Sequence, residues 1–176
     1  VCPEGDAEKW RNLLGNAAAA DKSVPADLML ADPVTRLEVL RGLMDSDGSV
    51  DKEGRCRFVS LSKALARDVQ TLARSLGGKA SMRFEERPSP KGGKDYRWRV
   101  DMQPAGRFNP FRLSRKANRI KPMLGSNRRI ESIERCGEGE TVCFAVAHES
   151  HQFVIDGYVV THNTDALLMS FAQFVG

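Results

Sequence analysis

The chain has 176 residues, 41% of them hydrophobic, and a formal net charge of +4. This length can hold one domain or two small ones around a buried core, and no apolar run approaches the roughly 18 residues that a membrane helix needs. The four cysteines form no C-x-x-C pair, which argues against a zinc site or a disulfide framework. The start at Val1, with neither initiator methionine nor signal-peptide pattern, indicates a fragment. We therefore expect a soluble, cytoplasmic protein of a bacterial or phage-infected cell.

Charged residues are distributed unevenly along the chain. Residues 79–129 carry 15 Lys and Arg against 4 Asp and Glu, whereas residues 1–78 carry 11 against 12 and residues 130–176 carry 1 against 7. The surplus of basic residues in the middle segment is typical of a surface that binds phosphates, because each neutralised phosphate releases a counterion. The alternative is a basic face that is merely solvated.

The first part of the sequence predicts two helices. Trp10, Leu13 and Leu14 indicate a short one. Pro33 is suited to open a second helix, and four apolar residues follow it at helical spacing: Leu37, Leu40, Leu43 and Met44. The Asp-Ser-Asp-Gly run at 45–48 is expected to end this helix.

The next part predicts a strand, a helix and a hairpin. Residues 55–60 have the composition of a strand. Apolar residues recur at helical spacing over 65–76, and Gly77 and its neighbouring glycine end that helix. Residues 80–86 and 96–102 then predict two strands joined by a turn rich in Pro and Gly.

The second strand of this hairpin has two different faces, because successive side chains of a strand point to opposite sides. One face is apolar and is expected to join the core: Tyr96, Trp98, Val100 and Met102. The other face carries Arg97, Arg99 and Asp101, and is expected to be basic.

Beyond the hairpin the character of the sequence changes. A helix rich in Lys and Arg is predicted from about residue 113 to residue 121. We expect a domain boundary near 122–127, because the chain then turns to short β-like runs, at 130–134, 141–147 and 152–160.

Residues 39–50, V-L-R-G-L-M-D-S-D-G-S-V, form the first motif that carries chemistry. A Ca²⁺ loop beginning at Asp45 would need Gly at its sixth position and Glu at its twelfth. Val50 and Cys56 stand there instead. The alternative is a helix in which Gly42 permits close packing against a partner helix, with its last acids emerging at the edge of a sheet.

Residues 33–121 resemble one half of a LAGLIDADG homing endonuclease, and residues 40–48 match the nonapeptide motif of that family. Arg41, Met44 and Ser46 depart from the motif, and such substitutions are usual in the family. The resemblance implies an α+β fold with helices over a curved antiparallel sheet, and double-stranded DNA bound on the sheet.

The resemblance also implies residue roles. In this family the last acid of each motif helix holds a divalent metal over the scissile phosphates, which assigns Asp47 to catalysis and to a Mg²⁺ site. A basic residue often lies near the catalytic centre, and Lys116 is favoured for it, with Arg115 as a DNA contact. Four arginines of the strands are further candidate DNA contacts: Arg57, Arg83, Arg97 and Arg99.

Two alternatives remain open for this motif. Asp47 could be a helix-ending acid in an ordinary turn, and the fold could be a DNA-binding remnant without catalysis. Only one motif is present in the sequence. Because such enzymes need two motif helices, cleavage would require a missing amino-terminal half or a dimer.

Residues 128–164 resemble the carboxy-terminal splicing region, or Hint region, of an intein, an element in which LAGLIDADG endonucleases are commonly embedded. The resemblance rests on His-Gln-Phe-Val at 151–154 and Gly-Tyr-Val-Val at 157–160, which match the strand pair beside the splice junction. It makes Asn163 the last intein residue. The Asn side-chain nitrogen would attack its own main-chain carbonyl, forming a succinimide and breaking the bond to Thr164.

The residues around Asn163 have complementary chemistry. His162 can polarise the carbonyl or protonate the leaving amine, and the Thr164 hydroxyl can receive an acyl group as an ester. The resemblance implies that His151 assists the cyclisation. The alternative for His151 is an ordinary histidine of the core or surface.

Cys143 and Thr161 correspond to features of the inteins called class three. In that subset a cysteine eight residues before the block histidine attacks the upstream splice junction, and a threonine precedes the terminal His-Asn. Cys143 stands in that relation to His151. A thiol needs activation to serve as a nucleophile, and the alternative for Cys143 is a small buried apolar residue.

The last segment, 164–176, would then be host sequence. Thr164 would complete a G-K-[ST] phosphate loop, and the apolar residues behind it would open the following helix. This resembles a phage terminase large subunit, a P-loop ATPase, although an ordinary amphipathic helix is an alternative.

We therefore expect three parts: an endonuclease half-domain with a helical lead-in at 1–121, a splicing region at 122–163, and the start of the host extein at 164–176. The expected function is protein splicing, without a cofactor, by an intein that carries a Mg²⁺-dependent endonuclease half. The alternative is an endonuclease or DNA-binding remnant that does not splice. Expected partners are double-stranded DNA, the missing amino-terminal half and the host protein, and no membrane.

Overall fold

A computed structural model of the chain describes residues 18–90, 92–104, 106–121, 132, 134–135, 137–140 and 146–162. The chain divides into two compact units, Val1–Ser126 and Asn127–Gly176. The first unit is α+β with one antiparallel sheet, as the sequence predicts. Among the helices in the described ranges, none is long and apolar enough to cross a membrane.

The motif helix, α2 (Pro33–Asp47), follows a short helix α1 (Ala26–Met29). It begins at Pro33 as predicted, because the carboxylate of Asp32 accepts hydrogen bonds from the first free main-chain N–H groups, those of Val34 and Thr35. Leu40 and Met44 are fully buried. The second half of this helix therefore packs in the core.

The sheet has the strand order β1-β2-β4-β3, with every neighbouring pair antiparallel. The strands are β1 (Ser49–Val50), β2 (Cys56–Ser60), β3 (Lys79–Pro88) and β4 (Lys94–Gln103). The predicted hairpin of β3 and β4 is confirmed and is longer at both ends than predicted. β1 was not predicted, because two residues are too few to show a periodicity.

Helix α3 (Lys63–Ser75) covers one face of the sheet. The hydroxyl of Ser62 caps its first turn by accepting from the N–H of Leu65, and Gly77, at φ +85°, follows its end. Its buried side chains pack against α2 and the strands: Leu65, Ala66, Val69, Leu72 and Ala73. The core formed by the described residues of this unit thus lies between the helices and one face of the sheet.

Two predictions about this unit need correction. The basic helix predicted over 113–121 is only one turn, α4 (Ser114–Ala117), because the chain turns at Asn118 and brings Ile120 back against the core. Tyr96, predicted to lie in the core, is half exposed. It stacks on Phe84, with ring centroids 5.7 Å apart, near the hairpin tip.

The second unit contains one described hairpin, β5 (Gln152–Ile155) and β6 (Val159–His162). The predicted run at 152–160 is divided into two strands by a 3-10 turn, Asp156–Tyr158, in which Gly157 and Tyr158 have positive φ angles. The predicted helix at 10–14 and most of the runs at 130–134 and 141–147 lie outside the described residues.

Gly48 is required by the close approach of the chain at the end of α2. A Cβ atom at this position would lie 2.5 Å from the main-chain oxygen of Met44, which cannot move without breaking the helix end. We expect Gly48→Ala to lower the free energy of unfolding by about 2 to 3 kcal/mol, measured by urea denaturation.

The matched control for this prediction is Gly42→Ala, in the same helix. A Cβ at Gly42 meets no atom within 4 Å, so alanine should stabilise the helix by about 0.5 to 1 kcal/mol. Equal destabilisation by the two changes would contradict the packing account of Gly48.

Candidate active site and nucleic-acid interface

Asp47 is the last residue of the motif helix and is exposed to solvent. Within the described residues its carboxylate has no hydrogen bond or ion pair. The chain continues at once into β1, where Ser49 stands opposite Arg57 of β2. The carboxylate therefore lies where the helix end meets the edge of the sheet, with its oxygens available to a ligand.

Asp45, two residues earlier, has a different environment. Its carboxylate accepts hydrogen bonds from the main-chain N–H groups of Arg112 at 3.1 Å and Leu113 at 3.3 Å. It thereby fastens the segment before α4 to the end of the motif helix. Of the two acids in the motif, Asp45 has a structural partner, whereas Asp47 has none among the residues that the structure describes.

Lys116 approaches the same helix end from α4. Its ammonium group donates to the main-chain oxygens of Met44 at 3.0 Å, Asp45 at 2.7 Å and Gly48 at 2.7 Å. An ammonium has three N–H donors, and the last carbonyls of a helix lack partners within the helix and form the negative end of its dipole. Lys116 therefore holds the peptide units on both sides of Asp47, and its neighbour Arg115 is exposed.

Arg41, one of the departures from the nonapeptide motif, also connects the helix to this segment. Its guanidinium group donates to the main-chain oxygen of Asn109 at 3.0 Å and pairs with Glu38 at 2.8 Å. No role was predicted for Arg41 from the sequence. The only signal available was its spacing of three residues from Glu38, which suits an ion pair on a helix.

The four arginines proposed from the strands lie together on the sheet face opposite the core. We call this surface the arginine face and define it by six residues: Arg57, Arg83, Glu85, Arg97, Arg99 and Asp101. Register explains the grouping, since Arg83 stands opposite Arg99, Glu85 opposite Arg97, and Arg57 opposite Asp101. The alternation predicted for β4 is confirmed, because Val100 and Met102 are buried on the other face.

The two carboxylates of the arginine face bind all four arginines. Asp101 pairs with Arg57 at 3.2 Å, Arg83 at 2.9 Å and Arg99 at 2.8 Å. Glu85 pairs with Arg97 and Arg99, each at 2.8 Å. Asp101 was predicted to lie on this face, but neither acid was predicted to be a partner of the arginines, because the pairing depends on strand register.

These contacts keep both acids ionised. Hydrogen bonds from Arg99 and then Arg97 lower the pKa of Glu85 below its ordinary value. For Asp101, partial burial acts to raise the pKa, but the hydrogen bonds from Arg99 and Arg57 outweigh it, so its pKa is also lowered. The face therefore carries fixed charges of both signs at neutral pH.

The described residues bring together no group of three or more His, Cys, Asp or Glu side chains that could hold a metal ion. Among the described acids at the helix end, Asp47 is the one whose carboxylate oxygens have no competing partner. One carboxylate fits a divalent cation only if further oxygens come from elsewhere, such as DNA phosphates, water and a second acid.

The hairpin of the second unit aligns two of the proposed splicing residues. His162 stands opposite Gln152, so that His151 and His162 lie at the same end of the hairpin. His151 has a φ angle of +50°, and its Nδ1 lies 3.1 Å from the main-chain oxygen of Val146. Thr161 stands opposite Phe153. Asn163, Thr164 and Cys143 lie outside the described residues.

The geometry of the first unit is that of a helix-and-sheet module with an acid at the helix end and a basic sheet face. A family model described as a LAGLIDADG-like domain matches residues 35–110. This part of the chain, which includes most of α2, the whole sheet and α3, is therefore a LAGLIDADG-like domain. Domains of this family bind DNA, are usually nucleases and typically use divalent metals. No curated protein matches the chain.

Proposed function

We propose that the first unit is one half of a homing-type DNA endonuclease. The observation that carries this proposal is the exposed carboxylate of Asp47, which has no partner in the described part of the chain and lies at a helix end that leads through β1 to the arginine face. A surface of this kind suits a DNA backbone, and an acid at its edge suits a metal beside a phosphate.

In this proposal each residue has a distinct part. Arginines of the arginine face contact phosphates and base edges of double-stranded DNA, and Arg115 contacts a phosphate. Asp47 would supply an oxygen ligand to Mg²⁺, and the metal would stabilise the charge that develops on the phosphate oxygens. Lys116 acts in catalysis by holding the main chain around Asp47 at a fixed distance from the DNA.

A second half is needed to complete the site, and we propose that it packs on α2. The proposal is supported by Gly42, which is exposed and would meet no atom with an added Cβ, and by Val34, which is 71% exposed. A helix could therefore approach α2 closely at Gly42. The second half would be a missing amino-terminal half or a second copy of this chain.

The experiment that tests the nuclease is cleavage of a randomised duplex library, with Mg²⁺ or EDTA, by the chain alone and mixed with a separate amino-terminal half. We expect cut ends at one enriched sequence, with Mg²⁺ only. Enriched binding without cut ends in every mixture would support the alternative, a DNA-binding remnant.

We propose for the second unit the carboxy-terminal part of an intein, active in the cytoplasm of a bacterial or phage-infected cell. The β5–β6 hairpin supports it, because His151 and His162 lie at the same end of the hairpin and Asn163 follows His162 in the sequence. Asn163 would cyclise with help from these histidines, and Thr164 would accept the acyl group. Cys143 would attack the upstream junction, with Thr161 beside the terminal pair.

In the same proposal residues 164–176 are the start of the host protein, a P-loop ATPase similar to a terminase large subunit. The expected result is loss of the 13-residue tail, residues 164–176, from the chain on mixing with an amino-terminal splicing fragment. Asn163→Ala should abolish this loss, because alanine has no side-chain amide nitrogen that could attack the main-chain carbonyl and form the succinimide. Intact mass measures the loss of the tail. Release that continues in Asn163→Ala would contradict the proposal, and so would the absence of release from the folded chain.

A further inference from the structure

Arg99 is the centre of the ion pairs on the arginine face. Its Nε and Nη2 donate to Asp101 at 2.9 and 2.8 Å, and its Nη1 donates to Glu85 at 2.8 Å. Each of its three nitrogens is thus bound to a carboxylate, and the side chain is only 21% exposed. Arg99 is the arginine least able to turn toward DNA.

The other three arginines keep nitrogens that have no partner within the described residues. Arg57 binds Asp101 through Nε, which leaves both of its Nη atoms. Arg83 uses Nη2 and leaves Nε and Nη1. Arg97 uses Nε and Nη2 and leaves Nη1. Each of these guanidinium groups is therefore bound to a carboxylate through some of its nitrogens and keeps at least one nitrogen available to donate to DNA.

Carboxylates on a surface that binds only phosphates would weaken binding, because they repel the DNA backbone. Glu85 and Asp101 nevertheless lie in the middle of this surface, 18% and 21% exposed beneath the guanidinium groups. An arginine fixed before binding loses less conformational freedom when it binds. Guanine offers two acceptors, O6 and N7, to a guanidinium group that is correctly oriented.

We propose that Arg99, Glu85 and Asp101 form a scaffold that does not contact DNA but orients Arg57, Arg83 and Arg97 for reading base edges. The two carboxylates are then positioning residues that determine sequence discrimination. They do this by holding the guanidinium groups in place, so that the arginines cannot turn freely toward any nearby phosphate. This inference rests on the proposed DNA-binding function and adds a division of roles among its arginines.

The test compares Glu85→Gln with Glu86→Gln in the full chain. Both changes remove one negative charge from adjacent residues of β3. Glu86 points to the opposite side of the sheet and is paired with Lys94, so it is a matched control for net charge. Asp101→Asn is a second variant of the scaffold, and thermal unfolding checks that every variant is folded.

The readout is a ratio of two dissociation constants. The constant for a scrambled duplex is divided by the constant for the duplex that the unchanged chain enriches from a random library. We expect Glu85→Gln and Asp101→Asn to lower this ratio about tenfold, with tighter binding to the scrambled duplex and a steeper salt dependence. Glu86→Gln should leave the ratio unchanged.

Two results would overturn the inference, and they differ. If Glu85→Gln and Glu86→Gln change the ratio equally while the unchanged chain binds DNA, net charge explains the effect and the scaffold is wrong. If the unchanged chain shows no salt-dependent binding to either duplex, the proposed function fails and the inference fails with it. Arg57→Gln provides a further check, because it should relax preference at one base position whereas Arg99→Gln should relax several.

Discussion

Asp47→Asn should reduce Mg²⁺-dependent DNA cleavage at least about 100-fold, because the amide replaces the charged oxygen ligand that the metal needs. The side chain is exposed and has no partner within the described residues. The free energy of unfolding should therefore change by less than about 0.5 kcal/mol. DNA affinity measured in EDTA should also be retained. Cleavage is measured under single-turnover conditions, with the chain and its second half in excess over DNA.

The matched control is Asp45→Asn, two residues away in the same helix. Its carboxylate accepts from the main chain at Arg112 and Leu113, so we expect a loss of about 1 kcal/mol in stability with cleavage still dependent on Mg²⁺. Loss of cleavage in Asp45→Asn with full cleavage in Asp47→Asn would show that the wrong acid has been assigned to the metal.

Lys116→Met should affect both stability and cleavage. Removing the ammonium leaves the carbonyls of Asp45 and Gly48 without this donor, whereas the carbonyl of Met44 keeps the N–H of Gly48. We expect a loss of about 2 to 4 kcal/mol in the free energy of unfolding. Cleavage should fall about 100-fold, because a displacement of Asp47 by about 1 Å is enough to disturb the geometry of the reacting groups.

Arg115→Met, at the exposed neighbouring position, is the control for the loss of one positive charge. It should leave stability unchanged. Loss of about one phosphate contact should weaken DNA binding and make its salt dependence less steep. If Lys116→Met abolished cleavage without changing stability, Lys116 would act on the reacting phosphate rather than on the helix end. Urea unfolding and cleavage rates of the same preparations decide between the two.

Much of the first unit could be predicted from local sequence signals. Pro33 marked the start of the motif helix correctly because proline suits the first turn of a helix. Gly77 marked the end of α3 because the chain there needs a positive φ angle. The division of β4 into a buried face and a basic face followed from simple alternation.

Other features depended on contacts between distant parts of the chain. Lys116 lies 68 to 72 positions from the oxygens that it binds, and no local pattern indicates that pairing. The partners of the arginines depend on the register of three strands, which alternation alone does not give. The basic helix was overestimated because tertiary packing of Ile120 overrode the helical composition of that segment.

The contact between DNA and the arginine face is the central claim, and arginine modification with phenylglyoxal, mapped by mass spectrometry with and without duplex DNA, tests it most directly. We expect DNA to protect Arg57, Arg83 and Arg97. Arg67, exposed on α3 on the other side of the sheet, should react equally in both samples. Protection of Arg67 with unchanged reaction of Arg57, Arg83 and Arg97 would contradict the account.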